Sequence, residues 1–222
     1  MTRENDLHDQ YKKEIQAFLN KCGLNCVDYE KVIESENGKK PDIKEEKNDI
    51  LIEIKILFLN EELKEEQRKV NKELRNKGGT TYWFQETSNF RGHLDDCRRK
   101  FRSFPSKKTM VIFVNEMGHQ KQPLEELISG QEYFTYSIYD DDSCKLTGYG
   151  NKDREIRKDR NKEIGILGEY YPRENKIVLI HNSYADKVRR VSFSVFDNCE
   201  HIEQKVYRYE NGEVQFNSRV AC

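Results

Sequence analysis

The segment Ile50-Leu51-Ile52-Glu53-Ile54-Lys55-Ile56-Leu57 constrains the fold more than any other in the chain. It is apolar enough to be a buried strand, yet it carries a carboxylate and an ammonium. Alternation along a strand puts Ile52, Ile54 and Ile56 on one face and Leu51, Glu53, Lys55 and Leu57 on the other. Acid and base therefore stand side by side among leucines, where an unpaired charge is costly to bury. The plainer reading is an amphipathic strand that turns both to water.

The residues before this strand give the charges a context. Lys39 to Glu45 reads as a strand, with Pro41-Asp42 near its start, and Lys47-Asn48-Asp49 as the turn into Ile50. A turn of two or four residues centred between Lys47 and Asn48 makes cross-strand partners sum to 95, which sets Asp42 opposite Glu53. A three-residue loop shifts the register by one. Like charges facing each other at about 5 Å repel, and a divalent cation between them removes that penalty.

The flanking pattern is α/β. Leu7, Tyr11, Ile15, Phe18, Leu19 and Cys22 recur at spacings of three and four, which predicts a helix over 7–22 ended by Gly23. Val27 to Ser35 is strand-like, and Asn37-Gly38 is a hairpin signal toward Lys39. Residues 60–77 form a charged helix with little to bury. Phe90, Leu94, Cys97, Phe101 and Phe104 mark one face of a second core helix, capped by Ser88 or Asn89, and Thr109 to Asn115 is a buried strand. Beyond 123 come a short helix, Leu124 to Ser129, and several strands with turns at Asp140-Asp141-Asp142, Pro172 to Asn175 and Asn211-Gly212. The charge run 151–163 reads as an exposed loop or frayed helix.

Length and composition bound the rest. With 222 residues, 12 Tyr and 11 Phe, the chain is expected to fold as one domain around an aromatic core despite 36% charged residues. A net charge of −1 places any polyanion site in a local patch. That patch is 91–108, where seven Lys or Arg stand against two Asp; Arg91, Arg98 and Lys100 are its candidate phosphate contacts. Apolar runs fall far short of the roughly 20 residues a bilayer needs, and Met1 to Asp6 has no signal-peptide core, so a cytoplasmic protein without membrane association is expected. The six cysteines lack zinc-finger spacing and read as reduced thiols. Nucleotide-binding glycine loops, HExxH and GxSxG are absent from the sequence.

Pro41-Asp42 followed by Glu53-Ile54-Lys55 resembles the PD-(D/E)xK nuclease superfamily. That resemblance covers roughly residues 7–117 and implies a restriction-endonuclease-like core of helix, three-stranded meander, helix and strand. Residues 1–122 would then be the core, with a helical excursion at 60–77, and 123–222 a β-rich extension of the same domain. By the same resemblance Asp42, Glu53 and the backbone carbonyl of Ile54 hold Mg²⁺ (or Mn²⁺), joined by a first-helix carboxylate for which Glu14 is the candidate, with Gln10 or Glu34 as substitutes. Lys55 would orient and help deprotonate the attacking water. The implied activity is endonucleolytic, on DNA first, and a homodimer would suit symmetric cutting of a duplex. The alternatives are an RNA-directed, cap-snatching-like endonuclease, which often adds a histidine from the first helices, here His8, and a non-catalytic nucleic-acid-binding module on the same fold.

Overall fold

The computed structural model of the chain describes residues 3–32, 40–58, 61–77, 90–116, 123–138, 144–152, 156, 160–210 and 213–218. Helix α1 spans Arg3–Lys21, followed by β1 (Cys26–Asp28), α2 (Tyr29–Val32), β2 (Ile43–Glu45) and β3 (Ile50–Leu57). Then come α3 (Glu61–Asn76), α4 (Phe90–Arg102), β4 (Lys108–Asn115) and α5 (Leu124–Ser129). The remaining strands are β5 (Gln131–Ile138), β6 (Cys144–Lys152), β7 (Ile166–Tyr171), β8 (Lys176–Asn182), β9 (Ile202–Glu210) and β10 (Glu213–Ser218).

Eight strands form one mixed sheet in the order β1-β2-β3-β4-β7-β8-β9-β10, and β5 pairs with β6 apart from it. Strands β1, β2 and β3 are antiparallel, β4 and β7 continue parallel to β3, and β8 to β10 extend the same sheet. The strand alternation read from the sequence sorts the core into two layers. Ile52, Ile54 and Ile56 join Tyr11, Ile15, Phe18 and Leu19 of α1 on one face. Leu51 and Leu57 join Phe90, Leu94, Cys97 and Phe101 of α4, with Leu124, Leu127 and Ile128 of α5, on the other.

Two expectations are corrected. The strand expected over 27–35 stops at Asp28, and Tyr29 opens a helical turn. Tyr29 is buried edge-on against Phe104, 6.3 Å between ring centres, and Lys12 bonds to Asp28 and Glu30 at 2.8 and 2.6 Å. Those long-range contacts turn the chain out of extended geometry. Within the charge run 151–163, expected to be exposed, Ile156 and Asn161 are buried. Asn37-Gly38, Ser88-Asn89, Asp140 to Asp142 and Asn211-Gly212 lie outside the described residues. Among the described residues no helix is long and apolar enough to cross a membrane.

Candidate active site

The turn that sets the register is built by two residues. Glu45, fully buried, accepts hydrogen bonds from the amides of Asn48 at 2.7 Å and Lys47 at 3.2 Å, and Asp49 takes a left-handed φ of 57° that aspartate tolerates. The turn is therefore four residues long. Partners in the β2–β3 ladder, Ile43 with Ile52, Lys44 with Leu51 and Glu45 with Ile50, sum to 95 as the sequence predicts.

The ladder then stops, and the reason is chemical. In an antiparallel strand a residue's N–H and C=O point to the same neighbour, and successive residues alternate sides. The Tyr29 amide donates to the Asp42 carbonyl at 3.0 Å, so Asp42 turns its backbone toward β1. Residues 41, 43 and 45 thus turn theirs toward β3. Continued by two residues, the same register would set Pro41 opposite Ile54, and Pro41 has no N–H to give. From Glu53 onward this edge of β3 is released from the ladder.

Side chains take over the freed backbone. The Ile54 amide donates to Asp42 Oδ2 at 2.6 Å, and His8 Nε2, from the first half of α1, lies 3.3 Å from the Ile54 carbonyl oxygen and 3.6 Å from Asp42 Oδ2. Asp42 is buried with 3% of its surface exposed. Burial works against its charge, but His8 and the Ile54 amide outweigh burial and hold the carboxyl below the ordinary range. His8 is raised above its ordinary value, first by its hydrogen bond to Asp42 and against its own burial.

Glu53, on the α4 side of β3, is also buried. Lys100, in the last turn of α4, places its Nζ 2.6 Å from both Glu53 oxygens, and Lys55 Nζ lies 2.9 Å from Oε1. Burial and then the Asp42 charge push the Glu53 carboxyl up, against the pull of Lys100 and Lys55. For Lys55, burial lowers the affinity for the proton, but Glu53 beside it, with Cys97 and Asp42, outweighs that, so its ammonium is held more firmly than an ordinary lysine's. His93, half-buried nearby, is pushed down by desolvation and by the Lys55 charge.

The sequence-predicted residues thus divide. Asp42 meets the Ile54 backbone, and Glu53 and Lys55 pair with each other beside it, where β3 runs on past the end of β2. Glu14 stands elsewhere: its carboxylate accepts from Gln10 at 2.8 Å and acts on Tyr11 and on Tyr170 of β7. It follows His8 by six residues, about 120° round the helix and about 9 Å along it, so one point cannot receive both. Lys100 reaches Glu53 itself. Arg98 pairs with Asp95 at 3.0 Å, and Arg91 lies exposed at the start of α4.

His8 and Lys100 are the two functional groups whose place the sequence left open. Their signal was helical phase: His8 precedes Tyr11 and Ile15 on the buried stripe of α1, and Lys100 follows Cys97 by three on α4. A carboxylate, a backbone carbonyl and an imidazole at the freed edge form an oxygen-rich donor set with one nitrogen, chemistry that suits Mg²⁺ and more so Mn²⁺. Among the described residues, however, no three His, Cys, Asp or Glu side chains are grouped as they would be around an ion. Both Glu53 oxygens are turned to Lys100 instead. Comparison with known protein families, with curated proteins and with solved structures finds no match for the chain.

Proposed function

We propose that the protein is a metal-dependent nuclease with a restriction-endonuclease-like core, hydrolysing phosphodiester bonds in nucleic acid. One observation carries the reading: the proline-terminated ladder brings Asp42 onto the Ile54 backbone, with Glu53 and Lys55 on either side of that residue in β3. A strand edge that offers a carboxylate, a carbonyl and a neighbouring acid-base pair is the arrangement expected of the PD-(D/E)xK pattern. The order of α1, the β1–β3 meander, α4 and β4 accords with the same reading.

Asp42, the Ile54 carbonyl and Glu53 would hold the metal, with His8 completing the set. When bound, the metal polarises the phosphoryl group and lowers the pKa of attacking water. Asp42 is kept ionised by the Ile54 amide and by His8, so it is ready to bind a cation at neutral pH. Lys55, held protonated beside Glu53, stabilises negative charge developing on the phosphate oxygens. The basic face of α4, including Arg91 and Arg98, meets the flanking phosphates.

DNA is the leading substrate. RNA is the second reading, favoured by the position of His8 against the Ile54 carbonyl, because a first-helix histidine is the added ligand of the cap-snatching type. Incubation of the protein with plasmid, circular single-stranded DNA and structured RNA in Mn²⁺ separates the two. Cleavage of the circular DNAs supports the first reading, and cleavage restricted to RNA supports the second.

A further inference from the structure

Glu53 is shared by two ammonium groups, and they are not equivalent. Lys55 belongs to the same strand and touches one oxygen, at 2.9 Å. Lys100 holds both oxygens from the last turn of α4, at 2.6 Å. Lys100 also lines an open hollow of about 320 Å³ together with Asp96, Arg99 and Ser103.

Charge balance sets the response to an arriving divalent cation. Asp42 and Glu53 supply two negative charges, and Lys55 and Lys100 already supply two positive ones. Adding two more at the same carboxylates leaves an excess that low-dielectric surroundings do not tolerate. One ammonium has to leave, and Lys100, which covers both Glu53 oxygens and has a hollow beside it, is the one in the path of the metal.

We propose that Lys100 is a built-in counter-cation that occupies Glu53 until a divalent metal displaces it, and that the released ammonium then meets a phosphate of the nucleic acid. The inference rests on the metal reading above. It accounts for the orientation of Glu53, whose oxygens are engaged by Lys100 rather than gathered with Asp42 and His8. Lys100 is thus a positioning residue that acts through Glu53, and it couples metal occupancy to substrate grip.

Calorimetric titration of Mn²⁺ into the parent, Lys100→Met, Lys100→Gln and Lys100→Arg proteins, without nucleic acid, tests it. Thermal melting confirms that each variant is folded. Removing a charged hydrogen-bond competitor should tighten Mn²⁺ binding roughly ten- to hundredfold in the two neutral variants, with Lys100→Arg close to the parent. In Ca²⁺, the neutral variants should bind a duplex oligonucleotide about tenfold more weakly, with the log-log salt slope reduced by about one. Mn²⁺ affinity that is unchanged or weaker in both neutral variants, with the parent binding normally, overturns the role given to Lys100 and leaves the nuclease reading standing. A parent that takes up no Mn²⁺ overturns the nuclease reading and this inference with it.

Discussion

The Asp42 carboxylate accepts the Ile54 amide hydrogen at 2.6 Å, doing at one side chain what the β2 backbone would otherwise do. Pro41, one residue before Asp42, has no N–H to offer the Ile54 carbonyl, which faces His8 Nε2 at 3.3 Å instead. The buried acidic edge of β3 is thereby opened by a single imino acid. Pro41→Ala restores the missing N–H, which should pair with the Ile54 carbonyl and compete with any cation there. We expect Mn²⁺ affinity to fall several-fold, with stability changed by no more than about 1 kcal/mol, read by calorimetry and chemical denaturation.

Asp42 and Glu53 should respond differently to loss of charge. Asp42→Asn keeps an acceptor for the Ile54 amide and relieves repulsion with Glu53, so stability should change by about 1 kcal/mol or less. Glu53→Gln leaves Lys55 and Lys100 without their shared carboxylate in a buried setting, at a cost of about 3 kcal/mol. Both variants should lose metal binding. Equal denaturation midpoints for the two would contradict the assignment of both lysines to Glu53.

Lys55 separates an enzyme from a binding module. In the catalytic role, Lys55→Ala lowers turnover by about 10²- to 10⁴-fold with substrate affinity nearly unchanged. In a binding module it would lower affinity by about tenfold, and the parent would show no turnover to lose. Side-by-side cleavage and binding measurements on that variant decide between them.

Acid sensitivity should come from a residue remote from the site. His181 is buried on β8, with its ring centre 3.9 Å from that of Phe193 and Nε2 3.0 Å from Gln204 Oε1. Burial lowers its pKa to about 4, with the Gln204 contact opposing. The folded form therefore keeps it neutral while the unfolded chain takes up a proton below its ordinary value near 6.5. Stability should fall as pH drops from about 6.5 to about 4, by about 3 kcal/mol from this residue alone. His181→Gln should flatten that limb in melts run between pH 7 and 4.

Much of this arrangement is legible in the chain because it rests on local periodicity. The alternation in β3, the apolar faces of α1 and α4, and a turn centred between Lys47 and Asn48 are short-range properties, and with that turn they give the observed β2–β3 register as far as Ile43 with Ile52. Other features depend on which surfaces meet. Tyr29 leaves its strand because Phe104, 75 residues away, receives its ring. Ile156 and Asn161 sit in a run of charges that looks solvated until the core closes on them. Glu14 and His8 both border the apolar stripe of α1, and only the docking of that helix on β3 puts His8 at the Ile54 carbonyl. Lys100 reads as a phosphate contact in the sequence because nothing local reveals that α4 carries it over Glu53.

The most direct test of the central claim is metal-dependent cleavage by the purified parent protein and its Asp42→Asn variant, on plasmid, circular single-stranded DNA and structured RNA, in Mg²⁺, Mn²⁺ or EDTA. The account predicts cleavage of at least one substrate by the parent in Mn²⁺ or Mg²⁺, its loss in EDTA, and its loss in Asp42→Asn. Binding of these substrates without cleavage in either metal, or cleavage that persists at the parent's rate in Asp42→Asn, would contradict it.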